Sequence, residues 1–135
     1  MDTLPKKYEL LTSDTRTLGD GTVVYRIRAL RDFWEVKAGQ LGGYVQSEDN
    51  LSHEGKCWVV GEGMVIEQAR VSGDAMVSNS LVFGHAQVSG WCVVFNDAQV
   101  GGHSVVTGAI GIVDGRMAAG KDVHVDWERR GKAPQ

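Results

Sequence analysis

Two histidines, His85 and His103, stand 18 residues apart in this sequence, and each follows a valine by three positions. Imidazole is both a metal ligand and a general base, so a fold that stacked the two rings would let them share a metal or a substrate. A metal site also needs the right ligand count and geometry, which two histidines do not supply. Asp97 has the equivalent position at a different corner, three residues after Val94, so its help would require a neighbouring subunit. We keep the two histidines as catalytic and metal candidates, and we expect no metal and no cofactor.

The two cysteines, Cys57 and Cys92, form neither a C-x-x-C pair nor a Cys/His metal pattern. The sequence also contains no G-x-S-x-G motif and no P-loop. We interpret both cysteines as free thiols that serve as small apolar side chains. These observations favour a non-catalytic protein over an enzyme.

A large aliphatic residue recurs every five or six positions through the central half of the chain. The residues are Val60, Ile66, Val71, Val77, Val82, Val88, Val94, Val100, Val106 and Ile112. A helix would space its apolar residues by three and four, whereas this window is rich in valine and glycine. The pattern predicts short strands separated by corners.

Three such units form one coil of a triangular parallel β-helix, with the aliphatic residue of each strand pointing inward. The coils are expected to begin near Val60, Val77, Val94 and Ile112 and to stack roughly 4.8 Å apart. The units that start at Ile66 and Val77 are one residue shorter than the others, and we expect each to tighten a corner. The predicted fold is an all-β, single-domain parallel β-helix.

These ten units in register resemble the hexapeptide-repeat family, whose fold is a left-handed β-helix. The segments YRIRALRDF and AGQLGGYVQSEDNLSHEGKCWV, followed by the repeats, resemble small proteins encoded by phages and prophages. The likeness extends from Tyr25 to about Gly115 and implies a left-handed helix. It implies no particular activity.

Enzymes of similar fold allow a direct comparison of sites. The acyltransferases use a histidine beside a cleft between subunits and carry a long loop that leaves a coil, and the carbonic anhydrases use three histidines on zinc. The units from Val60 to Ile112 contain no insertion, and His85 and His103 complete neither set. An acyltransferase-like or metal-dependent enzyme that uses these histidines at a subunit boundary is therefore the alternative.

The first 40 residues differ from the repeats. Two β-rich runs, Lys7 to Leu11 and Thr22 to Leu30, flank a turn at Leu18 to Gly21 and predict a hairpin. Because an open solenoid end exposes unpaired backbone, we expect this hairpin to cap it. We assign residues 1–40 to the N-terminal cap, 41–118 to the β-helix coils, and 119–135 to a C-terminal strand and a mobile tail.

One face of the expected triangle is apolar on its outer side. The residues beside Val60, Val77, Val94 and Ile112 point outward, and the predicted interface consists of Val59, Met76, Val93, Phe95 and Val113, with Trp91 at a nearby corner. A contiguous apolar patch normally has a partner. The hairpin or the tail with Trp127 folds over it, a second copy of the chain covers it, or a foreign protein binds there. Closed symmetry favours a homo-oligomer, either a dimer or a trimer.

Charge and composition limit the other partners and the location. With 17 acidic and 14 basic residues the net charge is -3, too small to indicate a nucleic-acid binder. Arg26, Arg28 and Arg31 form either an anion site or a solvated basic strand. The apolar runs are shorter than a membrane span, and the N-terminus lacks the apolar core of a signal peptide. We expect a cytoplasmic protein, in the host cytoplasm if a phage encodes it.

The sequence predicts a non-catalytic protein-binding function. The resemblance to phage and prophage proteins implies an accessory protein that oligomerises and binds or inhibits a host protein, a target in antiviral defence being one option. A purely structural, self-assembling protein is the further alternative, which the sequence does not separate from a binder of foreign proteins.

Overall fold

The computed structural model describes residues 6–95 and 97–107, together with the backbone of two further strands at 111–113 and 124–126. These residues contain no α-helix, and their elements are short strands and one 3₁₀ turn. The elements are β1 (Tyr8–Thr17), β2 (Val23–Ala29), β3 (Leu41–Val45), the 3₁₀ turn Glu48–Asn50, β4 (Trp58–Val60), β5 (Met64–Val65), β6 (Arg70–Val71), β7 (Met76–Ser78), β8 (Leu81–Val82), β9 (Gln87–Val88), β10 (Cys92–Val94), β11 (Gln99–Val100), β12 (Val105–Thr107), β13 (Gly111–Val113) and β14 (His124–Asp126).

Three sheets enclose one core, and the chain visits them in rotation. Sheet 1 has the order β1-β2-β3-β5-β8-β11, sheet 2 the order β14-β12-β9-β6, and sheet 3 the order β13-β10-β7-β4. From β3 onward every pairing between neighbouring strands is parallel. The result is a parallel β-solenoid of about three turns, as the repeat predicts. The backbone of each coil is paired with the next, so the valines stack in a dry column.

The register corrects two of the predicted inward residues. Val59 pairs with Val77 and Val65 pairs with Val82, and all four side chains have no exposed surface. The inward residues are therefore Val59 and Val65 and not their neighbours Val60 and Ile66. With this correction the inward positions Val59, Val65, Val71, Val77, Val82, Val88, Val94, Val100 and Val106 contain a single short unit, from Val77 to Val82.

The corners need backbone that most residues avoid. Gly55, Gly73 and Gly90 stack on one corner with φ of 72°, 65° and 72°. A Cβ on Gly73 would lie 2.9 Å from the main-chain nitrogen of Gly90, so close stacking of coils excludes a side chain there. At another corner Asn79 takes a φ of 47°, and its Oδ1 accepts a hydrogen bond from the Glu62 main-chain nitrogen at 2.8 Å. Asparagine tolerates this conformation better than most residues do.

The chain before the coils joins the same sheet. Strands β1 and β2 are antiparallel, β2 and β3 are antiparallel, and β3 then pairs in parallel with β5. The predicted strands and the turn between them are thus present, although β1 extends to Thr17 and carries an irregularity between Leu11 and Thr15. Val45 and Leu51 supply inward residues of an incomplete first coil.

Hydrogen bonds from the Asn50 side chain link this first coil to the second. The side chain is buried, and its Nδ2 donates to the main-chain oxygens of Glu67 at 3.1 Å and Ala69 at 2.9 Å. Its Oδ1 accepts from the main-chain nitrogens of Gln46 and Ser47. All four hydrogen-bonding positions of the amide are used, which suits a polar side chain in the interior.

A second, smaller apolar cluster lies on the outer side of sheet 1. Val24, Tyr44 and Ile66 are buried there, with Leu18 packed against them. The guanidinium carbon of Arg16 lies 4.5 Å from the centre of the Tyr44 ring. Ile66 is thus buried from outside by the N-terminal strands, and this explains why an outward position holds an aliphatic residue.

The C-terminal strands are described by their backbone only. Strand β14 pairs in parallel with β12, so the predicted terminal strand is present at His124–Asp126. In β13 the backbone register aligns Val113 with Val94 and Ile112 with Val93, which is one residue away from the predicted alignment. Trp127 and the rest of the predicted tail lie outside the described residues. No helix in the described part of the chain is long and apolar enough to span a membrane.

Candidate protein-binding surface

Strand β10 presents an apolar row on the outer side of sheet 3. Cys92 and Val94 are buried in the core, so alternation places Trp91, Val93 and Phe95 on the other side. Trp91 is 46% exposed and Phe95 is 37% exposed, while Val93 is partly buried. Both aromatic residues were predicted to lie at an interface, and both are available for contact.

The N-terminal segment, by which we mean residues 6–40, adds a second tryptophan to this row. Trp34 is 47% exposed and meets Trp91 edge-on, with the ring centres 6.0 Å apart and the ring planes at 76°. The sequence pattern did not single out Trp34 because this residue lies outside the repeats. Its neighbour Phe33 is buried, and its ring contacts the Trp58 ring at 5.2 Å.

Trp34 stands in a conformation that its residue type disfavours. Phe33 and Val36 exchange two main-chain hydrogen bonds, of 2.9 and 2.8 Å, around a two-residue loop whose first member is Trp34. Its φ is 52°, where hairpin loops of this length usually place glycine or asparagine. A bulky residue held at positive φ costs about 1–3 kcal/mol, and such strain concentrates at functional sites. In this loop the exposed indole of Trp34 lies against Trp91.

The first coil of sheet 3 is closed to partners. Trp58 is buried beneath Phe33 and Tyr8, so the N-terminal segment covers the outer side of β4. The inclusion of Val59 in the predicted interface is wrong, since Val59 is a core residue with no exposed surface. The segment that covers the first coil reaches the third coil through the contact of Trp34 with Trp91, and it leaves Trp91 and Phe95 exposed there.

We define the sheet-3 patch as Trp34, Met76, Trp91, Val93 and Phe95. Met76 pairs with Val93 across β7 and β10, so the patch continues from one coil to the next. The Lys56 ammonium lies 5.9 Å from the centre of the Trp91 ring, at one edge of the patch.

An open groove with a volume of about 1100 Å³ runs beside the sheet-3 patch, at the corner formed by the short unit. Phe95 forms part of its wall, together with Met64 and Leu81 from sheet 1. Glu62 and Asp97 also line it, and Glu62 is ion-paired with Arg16. An apolar row next to a concave surface can hold the side chains of another protein.

The histidine candidates stack as the 18-residue spacing predicts. The rings of His85 and His103 lie 4.9 Å apart and are parallel to within 10°, and both side chains are exposed. Within the described residues no group of three or more His, Cys, Asp or Glu side chains could hold a metal ion. Asp97 lies at a different corner, where it lines the groove beside the sheet-3 patch.

A polar cluster near the N-terminus was missed in the sequence. The Tyr8 hydroxyl donates to the Leu51 main-chain oxygen at 2.6 Å, and its ring stacks on the His53 ring at 4.2 Å. His53 Nε2 lies 2.9 Å from a carboxylate oxygen of Glu48. Burial raises the pKa of Tyr8 well above its usual value. The hydrogen bonds from His53 and Lys6 lower the pKa of Glu48.

The arginines of the N-terminal strands are engaged by the protein itself. Arg26 Nε lies 2.9 Å from Asp14, and Arg28 pairs with Glu9. Arg31 donates to the main-chain oxygen of His53 at 3.2 Å. Because two of the three charges already face carboxylates, the arrangement favours a structural role over an anion site.

No protein-family model matches this sequence, and no curated protein matches it at a significant level.

Proposed function

We propose that the protein is a non-catalytic protein-binding module that associates with a second copy of itself through the sheet-3 patch. The observation that carries the proposal is the contiguous exposed row of Trp34, Trp91 and Phe95 on a rigid sheet. Aromatic residues dominate binding energy in interfaces, and tryptophan is the most enriched of them. A preorganised sheet also loses little conformational entropy on association.

The solenoid in this proposal is left-handed, and the N-terminal strands act as its cap. The left-handed sense of the solenoid is inferred from the resemblance of the repeats to the hexapeptide-repeat family. The cap is supported by the pairing of β2 with β3, which gives the first parallel strand a neighbour, and by the burial of Trp58 under Phe33. A cap of this kind hides backbone groups that would otherwise pair with another chain.

The biological setting in this proposal is a phage or prophage, where a small accessory protein binds or inhibits a host protein in the cytoplasm. The resemblance of the YRIRALRDF segment and the following region supports this setting. Self-association through sheet 3 leaves sheet 2 and the exposed histidine corner available for a host target. A target in antiviral defence is one such protein.

The test is the mass of the protein in solution, measured by light scattering for the wild type and for Phe95→Asp. We expect a defined dimer or trimer for the wild type and a folded monomer for the variant, because a buried unpaired carboxylate strongly disfavours the interface. Gln87→Asp, which adds the same charge at an exposed position of sheet 2, is the matched control and keeps the oligomer. Circular dichroism checks that each variant is folded.

Two outcomes would change the assignment. A wild type that is monomeric at every concentration contradicts self-association and directs attention to a foreign partner for the patch. Bound zinc, or an activity that is lost on His103→Ala, would instead favour the enzymatic alternative.

A further inference from the structure

The side chains of Lys7 and Cys57 meet in the interior, between the N-terminal segment and the corner that precedes β4. Neither residue has any solvent-exposed surface. Lys7 Nζ donates to the main-chain oxygens of Cys57 at 2.7 Å and Gly55 at 3.3 Å, and it contacts the Cys57 Sγ at 3.3 Å. An amine and a thiol separated by 50 residues in sequence are therefore in direct contact in a dry site.

The surroundings favour the uncharged forms of both groups. Within the described residues no carboxylate forms an ion pair with Lys7. Burial lowers the pKa of Lys7 and raises the pKa of Cys57. A neutral lysine amine has a free electron pair and is a nucleophile, which a protonated surface lysine is not.

We infer that Lys7 and Cys57 form a reversible sulfenamide cross-link when the protein meets hydrogen peroxide. The Cys57 thiol loses its proton when the N-terminal segment opens to solvent, and the thiolate then takes one oxygen from the peroxide and becomes a sulfenic acid. The hydroxide that leaves the peroxide takes up the proton and is released as one water. The Lys7 nitrogen then attacks the sulfur, an N–S bond forms, and the S–O bond breaks. The departing hydroxide takes a proton from the nitrogen and leaves as a second water. The thiol sulfur is oxidised by two electrons, and the peroxide is reduced.

Contact geometry makes the amine the first nucleophile that the sulfenic acid meets. The Lys7 nitrogen already touches the sulfur, and the enclosed site excludes the soluble thiols that would otherwise compete. Peroxide reaches the sulfur only when the N-terminal segment opens locally, so the reaction is slower than that of an exposed thiol. The nitrogen captures the sulfur once the segment closes again.

The cross-link fixes the N-terminal segment to the first coil. Lys7 precedes Tyr8, whose ring contacts Trp58, and Phe33 contacts both the lysine and Trp58. A covalent bond across this junction restricts the unfolded chain and stabilises the folded state, as a disulfide does. Oxidation would thus lock the segment that presents Trp34.

The test treats the Cys92→Ala protein with hydrogen peroxide, because Cys57 is then the sole thiol. We expect the intact mass to fall by two hydrogens, and digestion without reductant to release a peptide that joins Lys7 to Cys57. Dithiothreitol attacks the sulfenamide sulfur and restores the original mass. The oxidised protein unfolds at a higher urea concentration than the reduced one.

Lys7→Arg is the comparison variant, since it keeps hydrogen-bond donors at this position but replaces the nucleophilic amine with a guanidinium, which stays protonated. This variant is expected to gain oxygen at Cys57 and to give no joined peptide. The inference is overturned if the Lys7-containing protein gains oxygen without cross-linking, or if Cys57 resists peroxide entirely. A joined peptide that retains one extra oxygen would contradict the N–S bond. The test on the Lys7-containing protein stands even if Lys7→Arg does not fold.

Discussion

At the scale of single residues, Trp34 combines a destabilising backbone conformation with an exposed aromatic ring. Its φ of 52° is strained, yet its ring is held 47% exposed against Trp91. Nothing in the hydrophobic repeat predicts this residue, because its position depends on the loop from Phe33 to Val36. Its conformation and exposure together assign it to the sheet-3 patch.

Trp34→Gly is expected to change the free energy of unfolding by less than about 1 kcal/mol, since relief of the backbone strain offsets the lost aromatic contact. Trp34→Ala loses the same ring but keeps a Cβ at positive φ, so it is expected to be less stable than Trp34→Gly by about 1 kcal/mol. Urea unfolding measures both values. Equal stability of the two variants would contradict backbone strain at position 34.

Glu48 gives the fold a dependence on acid. Its pKa is lower in the folded protein than the usual value of 4.5, because His53 and Lys6 hydrogen-bond to the carboxylate. The stabilisation is therefore complete above the unfolded pKa and is lost as the pH falls below 4.5 and through the lower folded value. We expect Glu48→Gln to lose less stability than the wild type when the pH is lowered from about 7 to about 3.

The measurement is the urea midpoint of both proteins across this pH range. The carboxylate is partly exposed, so the difference between them is expected to be small. Glu54→Gln, at an exposed position on the same coil, is the control and should follow the wild type. An identical acid response of Glu48→Gln and the wild type would show that the hydrogen bonds from His53 and Lys6 add no stability.

At the scale of strands and coils, the sequence predicts the period of the fold better than its register. Val59 and Val60 are adjacent aliphatic residues, as are Val65 and Ile66, so either member of each pair fits an inward position. The choice depends on the N-terminal strands, which cover Trp58 and Ile66 from outside and leave Val59 and Val65 to face the core. Periodicity within the repeats contains no information about that cover.

The junction between the first two coils depends on Asn50. Asn50→Ala removes a buried amide that makes four hydrogen bonds, and we expect the free energy of unfolding to fall by about 3 kcal/mol or more. Asn50→Asp has the same shape but points a carboxylate oxygen at the carbonyls of Glu67 and Ala69, so it is expected to be less stable still at neutral pH.

Equilibrium unfolding in urea measures both losses, with the exposed Gln68→Ala as a control that is expected to lie within about 0.5 kcal/mol of the wild type. If Asn50→Ala also lies within about 0.5 kcal/mol of the wild type, the hydrogen bonds of Asn50 do not stabilise the junction between the first two coils. Equal stability of the Ala and Asp variants would contradict an orientation in which Asn50 Nδ2 points toward the carbonyls of Glu67 and Ala69.

At the scale of the whole molecule, the N-terminal segment covers parts of the outer sides of sheets 1 and 3 and leaves Trp91 and Phe95 on sheet 3 exposed. The stacked histidines and the apolar outer row were predictable because a coil of 17 or 18 residues places equivalent positions above one another. The boundary between covered and open surface was not predictable from the repeat, because it depends on where the N-terminal segment lies. That boundary separates buried Trp58 from exposed Trp91 and defines the sheet-3 patch.

The most direct test of the proposed interface is hydroxyl-radical footprinting of the wild type over a range of protein concentrations. We predict that Trp34, Trp91 and Phe95 become protected from oxidation as the concentration rises, while Leu41, an exposed side chain outside the sheet-3 patch, reacts at a constant rate. Oxidation of the three aromatic residues that does not change with concentration would contradict self-association through the sheet-3 patch.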